Sequence, residues 1–184
     1  VAACLDEGVT NPKRGYVCDG FQQVAEHKIK CTGYAKGGHG TINICQALME
    51  SCNDVMMQLG AKLGRTKFVD YNNDFGFGQK TGIDLPGEAS GGVFTKDTMH
   101  SVELATSSFG QGQTVTMIQL AAAFSAVING GNYYEPHIVK EINSDTGALV
   151  SSKDNSLVRK VITESTSDKI RTYLQKTVEE GTAN

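Results

Sequence analysis

Ser51 and Asn53 stand two positions apart, with Cys52 between them, where one helical pattern ends and another begins. At that spacing a hydroxyl and a carboxamide can enter one cleft, the first relaying a proton and the second donating a hydrogen bond to a carbonyl. The same residues also suit a helix start. Asn53 precedes the apolar-periodic run Asp54-Val55-Met56-Met57-Gln58-Leu59, and its side-chain oxygen could accept from an unpaired helix N–H as an N-cap. The two roles are compatible, so the surrounding chain has to decide between them.

Other residues with chemical potential are the five cysteines and four histidines. Cys4 and Cys45 fall in helical patterns beside apolar residues, where a free thiol behaves as a small buried hydrophobe. Cys18, Cys31 and Cys52 are disulfide candidates. Tyr16-Val17-Cys18 and Lys28-Ile29-Lys30-Cys31 read as two arms of a hairpin-like excursion, so a Cys18–Cys31 bridge fits if the registers match, and Cys52 is the alternative partner for either. No Cys-x-x-Cys pair occurs, and His27, His39, His100 and His137 share no helical or tight-loop ligand spacing with a cysteine or carboxylate. No metal and no cofactor are expected on that basis. His39, between Gly38 and Gly40, is read as ordering the turn into the Ser-Cys-Asn region.

The elements that must position these residues follow from periodicity. Ile44, Ala47 and Leu48 share one face of a helix over 41–50, and Met56, Leu59 and Leu63 share one face of the next, which stops at Gly64. Thr66 is the expected cap of a short helix carrying Phe68, Val69 and Tyr71 inward. Residues 75–92 are rich in turn formers and read as a long loop. Val115 to Asn129 is apolar over most of its circumference, which predicts a buried helix at the centre of the core, closed by Gly130-Gly131. Tyr133 to Ile142 reads as one strand with an edge-marking Pro136, Asn143 to Gly147 as a turn, and Ala148-Leu149-Val150 as the return. The last helix is expected to be capped by Ser165, with Ile170, Leu174 and Val178 inward.

Bulk properties exclude some partners. The 184 residues carry a formal charge of -3 with Lys and Arg dispersed, which offers no electrostatic footprint for nucleic acid. No window approaches the roughly 18 apolar residues of a spanning helix, so no membrane contact by these residues is expected. Nucleotide motifs fail too: Lys80-Thr81 lacks the glycine of a phosphate loop, and Gly76-x-Gly78-x-x-x-Gly82 has the wrong spacing for a dinucleotide turn. Val1 to Gly8 has the composition of a helix end stopped by Gly8, so the chain is expected to start inside a larger domain.

The order of motifs resembles the transpeptidase domain of class B penicillin-binding proteins, the serine acyltransferases that cross-link peptidoglycan. The similar stretches are Leu5-Asp6-Glu7-Gly8-Val9-Thr10, Gly38-His39-Gly40 with Ala47-Leu48-x-x-Ser51-Cys52-Asn53, and Phe75-Gly76-x-Gly78-x-Lys80-Thr81-Gly82-Ile83-Asp84-Leu85-Pro86-Gly87-Glu88. They continue through Gly110-Gln111-Gly112, Val115-Thr116, Gln119-Leu120-Ala121 and Glu135 to Ile142, so the likeness is collinear over nearly the whole chain.

The family's site combines Ser-x-x-Lys, Ser-x-Asn and Lys-Thr/Ser-Gly. No serine here has a lysine three residues later, so the resemblance implies that the acylated serine and its lysine lie upstream. Lys80-Thr81-Gly82 has the right letters, but Pro86 and Gly87 oppose the strand that the family motif occupies, and the catalytic version is expected beyond Asn184. In the whole enzyme the serine would attack a D-alanyl-D-alanine carbonyl of a peptidoglycan stem peptide, D-alanine would leave, and a neighbouring amine would take the acyl group. β-Lactams would trap the acyl-enzyme. Ser51 would relay the leaving group's proton, Asn53 would hydrogen-bond the substrate amide, and Gln111 would line the cleft. Because the parent would work outside the cytoplasmic membrane, on its extracytoplasmic face, a disulfide from Cys52 to Cys31 or Cys18 could persist and deform the site.

The expected fold is mainly α with small β-hairpins, a helical subdomain of the α/β penicillin-binding protein/β-lactamase-like transpeptidase fold with its main sheet strands largely absent. Residues 1–184 are thus expected to be one partial transpeptidase domain, inactive alone, with cell-wall synthesis proteins as further partners of the intact parent. The competing expectation is a non-catalytic binding or scaffold module of a cell-envelope protein, with Ser-Cys-Asn only a cap.

Overall fold

A computed structural model describes residues 1–154 and 156–183, and these described residues form seven α-helices and four two-stranded antiparallel sheets. The helices are α1 (Ala2–Asp6), α2 (Ile44–Met49), α3 (Asn53–Leu63), α4 (Arg65–Asp74), α5 (Ser101–Ser107), α6 (Met117–Ile128) and α7 (Glu164–Glu180). The strands are β1 (Gly15–Cys18), β2 (Phe21–Val24), β3 (His27–Lys30), β4 (Gly40–Asn43), β5 (Asn132–Tyr134), β6 (Glu141–Asn143), β7 (Leu149–Ser152) and β8 (Leu157–Lys160).

Two excursions share one topology, an outer strand pair with a hairpin nested inside it. β1 pairs with β4 and encloses the β2–β3 hairpin; β5 pairs with β8 and encloses β6–β7. This corrects two expectations. The arms around Cys18 and Cys31 are not partners of each other, since Cys18 pairs with Gly40 while Lys30 pairs with Phe21. Tyr133 to Ile142 is likewise two strands of different sheets, separated by Pro136, which removes a ladder donor. The expected return through Ala148 to Val150 is present as β7.

The larger core centres on α3. Ile44, Cys52, Val55 and Leu59 are almost wholly buried and pack with Cys4 and Leu5 of α1 and with Ile170 and Tyr173 of α7. Each fully buried aliphatic side chain contributes about 1.5–3 kcal/mol relative to exposure. A second core joins Phe75, Ala123, Ala126, Tyr133, Val161 and Ile162.

Helix α6 is therefore not the centre. It buries Gln119, Ala123 and Ala126, while Met117, Leu120, Phe124 and Ile128 are exposed, Met117 at 81%. The apolar circumference is real, but only one side of it meets a neighbour within these residues.

Helix ends explain the remaining shifts. α2 starts at Ile44, not at 41, because β4 occupies the preceding positions and Asn43 forms a reciprocal capping box with Gln46. α4 has Gly64 at its N-cap in place of Thr66, and α7 is capped by Thr163, whose hydroxyl accepts from Thr166 N–H, in place of Ser165. The 75–100 connection contains no strand, and carboxylates hold it. Glu88 accepts from the Thr81 N–H and hydroxyl at 2.6 Å each and from Gly82 N–H, and Asp84 accepts from Ile138 and Val139 N–H at 2.8 Å each. Lys80-Thr81-Gly82 is thus part of a carboxylate-tied loop.

Asp6 joins the first helix to the last. Its carboxylate accepts from the Thr163 N–H at 2.8 Å and the Thr163 hydroxyl at 2.7 Å, at the N-terminus of α7. Partial burial opposes ionisation, but these bonds outweigh it and hold the carboxyl below its ordinary 3.8. A depressed folded value gives stability that is complete above pH 3.8 and fades as pH falls through the folded value. Acid unfolding followed by circular dichroism is expected to show this slope in the parent chain and a flatter one in Asp6→Asn. Identical slopes would remove Asp6 from the account.

Candidate functional site

The turn that carries Ser51 is the end of α2. Ser51 N–H bonds to Leu48 O and Cys52 N–H to Ala47 O, the paired bonds of a Schellman stop. In such a stop the residue after the cap takes the left-handed conformation that normally selects glycine; here it is Ser51, at φ +50°. Its hydroxyl-bearing Cβ is thereby projected outward on an exposed residue, at a strain of about 1–2 kcal/mol.

Asn53 is not the N-cap of α3. Cys52 holds that position and Asn53 is the first helical residue, because the Cys52 thiol turns inward and is fully buried while the Asn53 carboxamide points away and donates to Lys30 O at 3.4 Å. Ser51 and Asn53 therefore flank a buried residue and both line one cavity of about 390 Å³. Its walls are largely apolar, with Phe109 and Ser108 after α5, Phe124 of α6 and Leu174 of α7. A few polar groups in an apolar concavity is the usual composition of a ligand cleft. Gln111 is exposed on the turn after α5, its N–H bonded to Thr106 O, and is not among the residues lining this cavity.

Lys30, Cys31 and Thr32, just after β3, are knitted to the same tripeptide. Besides Lys30 O to Asn53, the Thr32 hydroxyl donates to Ser51 O at 3.1 Å, and the Cys31 and Cys52 sulfurs lie 3.6 Å apart. All five cysteines are free thiols, so the expected bridges among Cys18, Cys31 and Cys52 are not formed here. These three nonetheless converge with His39: the Cys18 and Cys31 sulfurs are 3.4 and 3.6 Å from His39 Nδ1, and all four donor atoms lie within 4.8 Å of one another.

Nesting produces this cluster. Where β1–β4 gives way to β2–β3, Cys18 sits opposite Gly40 beside His39, and Cys31 N–H bonds to Gly20 O at 2.7 Å. Spacing along the chain does not reveal it, because the four residues come from separate turns. The readable signal was the repeated Cys-x-Gly of Cys18-Asp19-Gly20 and Cys31-Thr32-Gly33, with His39 between glycines.

Gly33 lies flat against the imidazole, where a Cβ would stand 2.8 Å from ring atoms Cε1 and Nε2. Burial pushes the Cys18 and Cys52 thiols up. Burial also opposes ionisation of Cys31, but N–H groups of Asp54 and Gly33, with the Thr32 hydroxyl and Cys52, bring it down to about 6.

Against solved structures, the chain superposes on penicillin-binding protein 3 of Mycobacterium tuberculosis at a TM-score of 0.88 and 23% identity, over 100% of this chain and 40% of that one. It matches the D,D-transpeptidase domain of a peptidoglycan glycosyltransferase from Eggerthella lenta at 0.87 and 22%, over 98% and 46% of the two chains. The fold is thus that of a transpeptidase domain. The family profile for the penicillin binding protein transpeptidase domain matches residues 1–184, and the chain belongs to that family.

Among curated proteins it is 43% identical to the stage V sporulation protein D of Bacillus subtilis, over 99% of this chain and 28% of that protein. It is 33% identical to the peptidoglycan D,D-transpeptidase MrdA of Acinetobacter baumannii, over 62% of this chain and 18% of that one. The chain spans less than a third of the length of these relatives.

Proposed function

We propose that these residues supply the Ser-x-Asn part of the active site of a serine D,D-transpeptidase that cross-links peptidoglycan stem peptides through an acyl-enzyme. The observation that carries the reading is the joint placement of Ser51 and Asn53 on one apolar-walled cavity, with Ser51 in a strained conformation that aims its hydroxyl away from the core. Strain of this kind concentrates at functional sites. In this reading the nucleophilic serine and its lysine come from outside the 184 residues. Ser51 passes a proton toward the departing D-alanine nitrogen, and Asn53 donates from Nδ2 to the substrate amide.

Exchange of the Asn53 bond to Lys30 O, which is long at 3.4 Å, for one to substrate would cost little. The apolar face of α6, with Met117, Leu120 and Phe124 exposed, would be covered by other parts of the domain. The enzyme would act on the extracytoplasmic face of the bacterial cytoplasmic membrane and bind β-lactams. That expectation draws on the M. tuberculosis relative, which has been solved in complex with ampicillin and with aztreonam. Among the described residues no helix is long and apolar enough to cross a membrane.

Fluorescent penicillin tests the proposal. The 184-residue chain should not be labelled. A longer chain that includes an upstream Ser-x-x-Lys should be labelled on that serine, and Asn53→Ala should slow labelling by about 10- to 100-fold, as expected for loss of a hydrogen bond of roughly 1.5–3 kcal/mol at a charged reaction centre. Stoichiometric labelling of the short chain would overturn the placement of the nucleophile outside these residues, and a longer Asn53→Ala chain that labels at the unmodified rate would turn the reading toward a scaffold role.

A further inference from the structure

We infer that Cys18, Cys31, His39 and Cys52 form a zinc site that clamps the Ser51–Asn53 turn to the nested hairpin. The separations of the four donor atoms suit a tetrahedral ligand shell. With Zn–S near 2.3 Å and Zn–N near 2.0–2.1 Å, the edges of a regular tetrahedron are about 3.8 Å between sulfurs and about 3.5 Å from sulfur to nitrogen. Three of the six edges here are 3.6 Å from Cys31 to Cys52 and 3.4 and 3.6 Å from His39 Nδ1 to Cys18 and Cys31, and the other three are within 4.8 Å. A disulfide would require about 2.05 Å between sulfurs and would leave one thiol and the imidazole without a shared role.

Three further features fit a metal. The three cysteines are at most 5% exposed, which shields a thiolate–metal centre from water. Backbone N–H groups near each sulfur also favour its charged form: those of Gly20 and His39 for Cys18, of Gly33 and Asp54 for Cys31, and of Val55 for Cys52. Such donors around metal-bound thiolates disperse charge and orient the ligands. Finally, Gly33 leaves room for the imidazole plane, which fixes Nδ1 toward the sulfurs.

Three thiolates and one imidazole select a borderline-soft tetrahedral cation, and zinc is the first choice for that set. Binding would release the three thiol protons, and the His39 Nδ1 lone pair would complete the shell. Four protein ligands leave no open position, so the metal is structural and takes no part in acyl transfer. Its effect passes through Cys52, whose neighbours Ser51 and Asn53 both line the cleft, and through Cys31, whose neighbours bond Ser51 and Asn53.

Metal analysis and native mass spectrometry of the purified chain are expected to find one zinc per chain, removed by a strong chelator and restored by zinc. Cobalt in its place should give the visible absorption of a tetrahedral thiolate complex. His39→Gln should weaken zinc binding roughly 100-fold or more, since partners one shell further out already cost about 10- to 100-fold. Cys45→Ala, which lies outside the cluster, should leave it unchanged. Should the ligand variants fail to fold, thiol alkylation of the unmodified chain decides: zinc must protect Cys18, Cys31 and Cys52 while Cys45 reacts with and without metal.

Hydrogen exchange should rise on chelation at the turns around Cys18, Cys31 and Cys52, and not in β5–β8. A folded chain that takes up no zinc, a Cys31–Cys52 disulfide in freshly purified protein, or equal alkylation with and without metal would each overturn the proposal. None of these readouts depends on acylation, so failure here and failure of the transpeptidase reading are separable.

Discussion

Gly38→Ala is expected to lower the stability of this chain by about 3 kcal/mol or more, a fall of roughly 6–12 °C in melting temperature for a domain of this size. Gly38 has φ +98°, a left-handed conformation that alone costs a Cβ-bearing residue about 1–2 kcal/mol. The larger part is steric. An added Cβ would stand 2.1 Å from Cys18 O and 2.8 Å from both the Cys18 and the Asp19 carbonyl carbons. All three atoms are backbone, so relief requires the end of β1 to move away from β4, and that junction carries Cys18 and His39. Gly37→Ala is the control, because Gly37 has φ +80° but nothing within 4 Å of its added Cβ. Thermal denaturation should separate the two variants by the steric part alone. Equal losses would mean that the approach of Gly38 to the Cys18 carbonyl is readily relaxed.

That junction also shows where the sequence was readable and where it was not. Local periodicity placed α2 and α3 on either side of Ser-Cys-Asn, because Ile44/Ala47/Leu48 and Met56/Leu59/Leu63 define helical faces without reference to anything distant. Strand pairing had no such signal. β1 takes β4 as its partner across an intervening hairpin, and Tyr16-Val17-Cys18 looks the same whichever strand lies beside it. The cysteine cluster is a consequence of that pairing and was hidden for the same reason.

Helix α6 failed in the opposite direction. Its composition correctly described an apolar surface, but composition does not say which side is covered, and Phe124 and Ile128 remain half-exposed while Ala123 and Ala126 are buried. The Ser-x-Asn motif was legible as a pattern. Its cap assignment moved by one residue because Cys52, recruited by Cys31 and His39, turns inward at the position a capping side chain would take.

Ser51→Gly is expected to separate chemistry from architecture at that motif. Glycine relieves the φ +50° strain and keeps every backbone bond of the turn, including the carbonyl that accepts from Thr32. The relief is partly offset by the greater freedom of glycine in the unfolded chain, which leaves a net gain of up to about 1 kcal/mol. In a longer chain that carries the nucleophilic serine, the same change removes the hydroxyl proposed to relay the leaving group's proton. Penicillin acylation should then fall by about 100-fold or more, within the range for loss of a general acid–base group. Ser51→Ala should lose acylation equally and gain no stability, because its Cβ keeps the strain. Acylation by Ser51→Gly at the unmodified rate would eliminate the proton-relay role. A Ser51→Gly chain that unfolds more readily than Ser51→Ala would show that the turn is held by contacts of the serine side chain, and that the left-handed residue is not under strain.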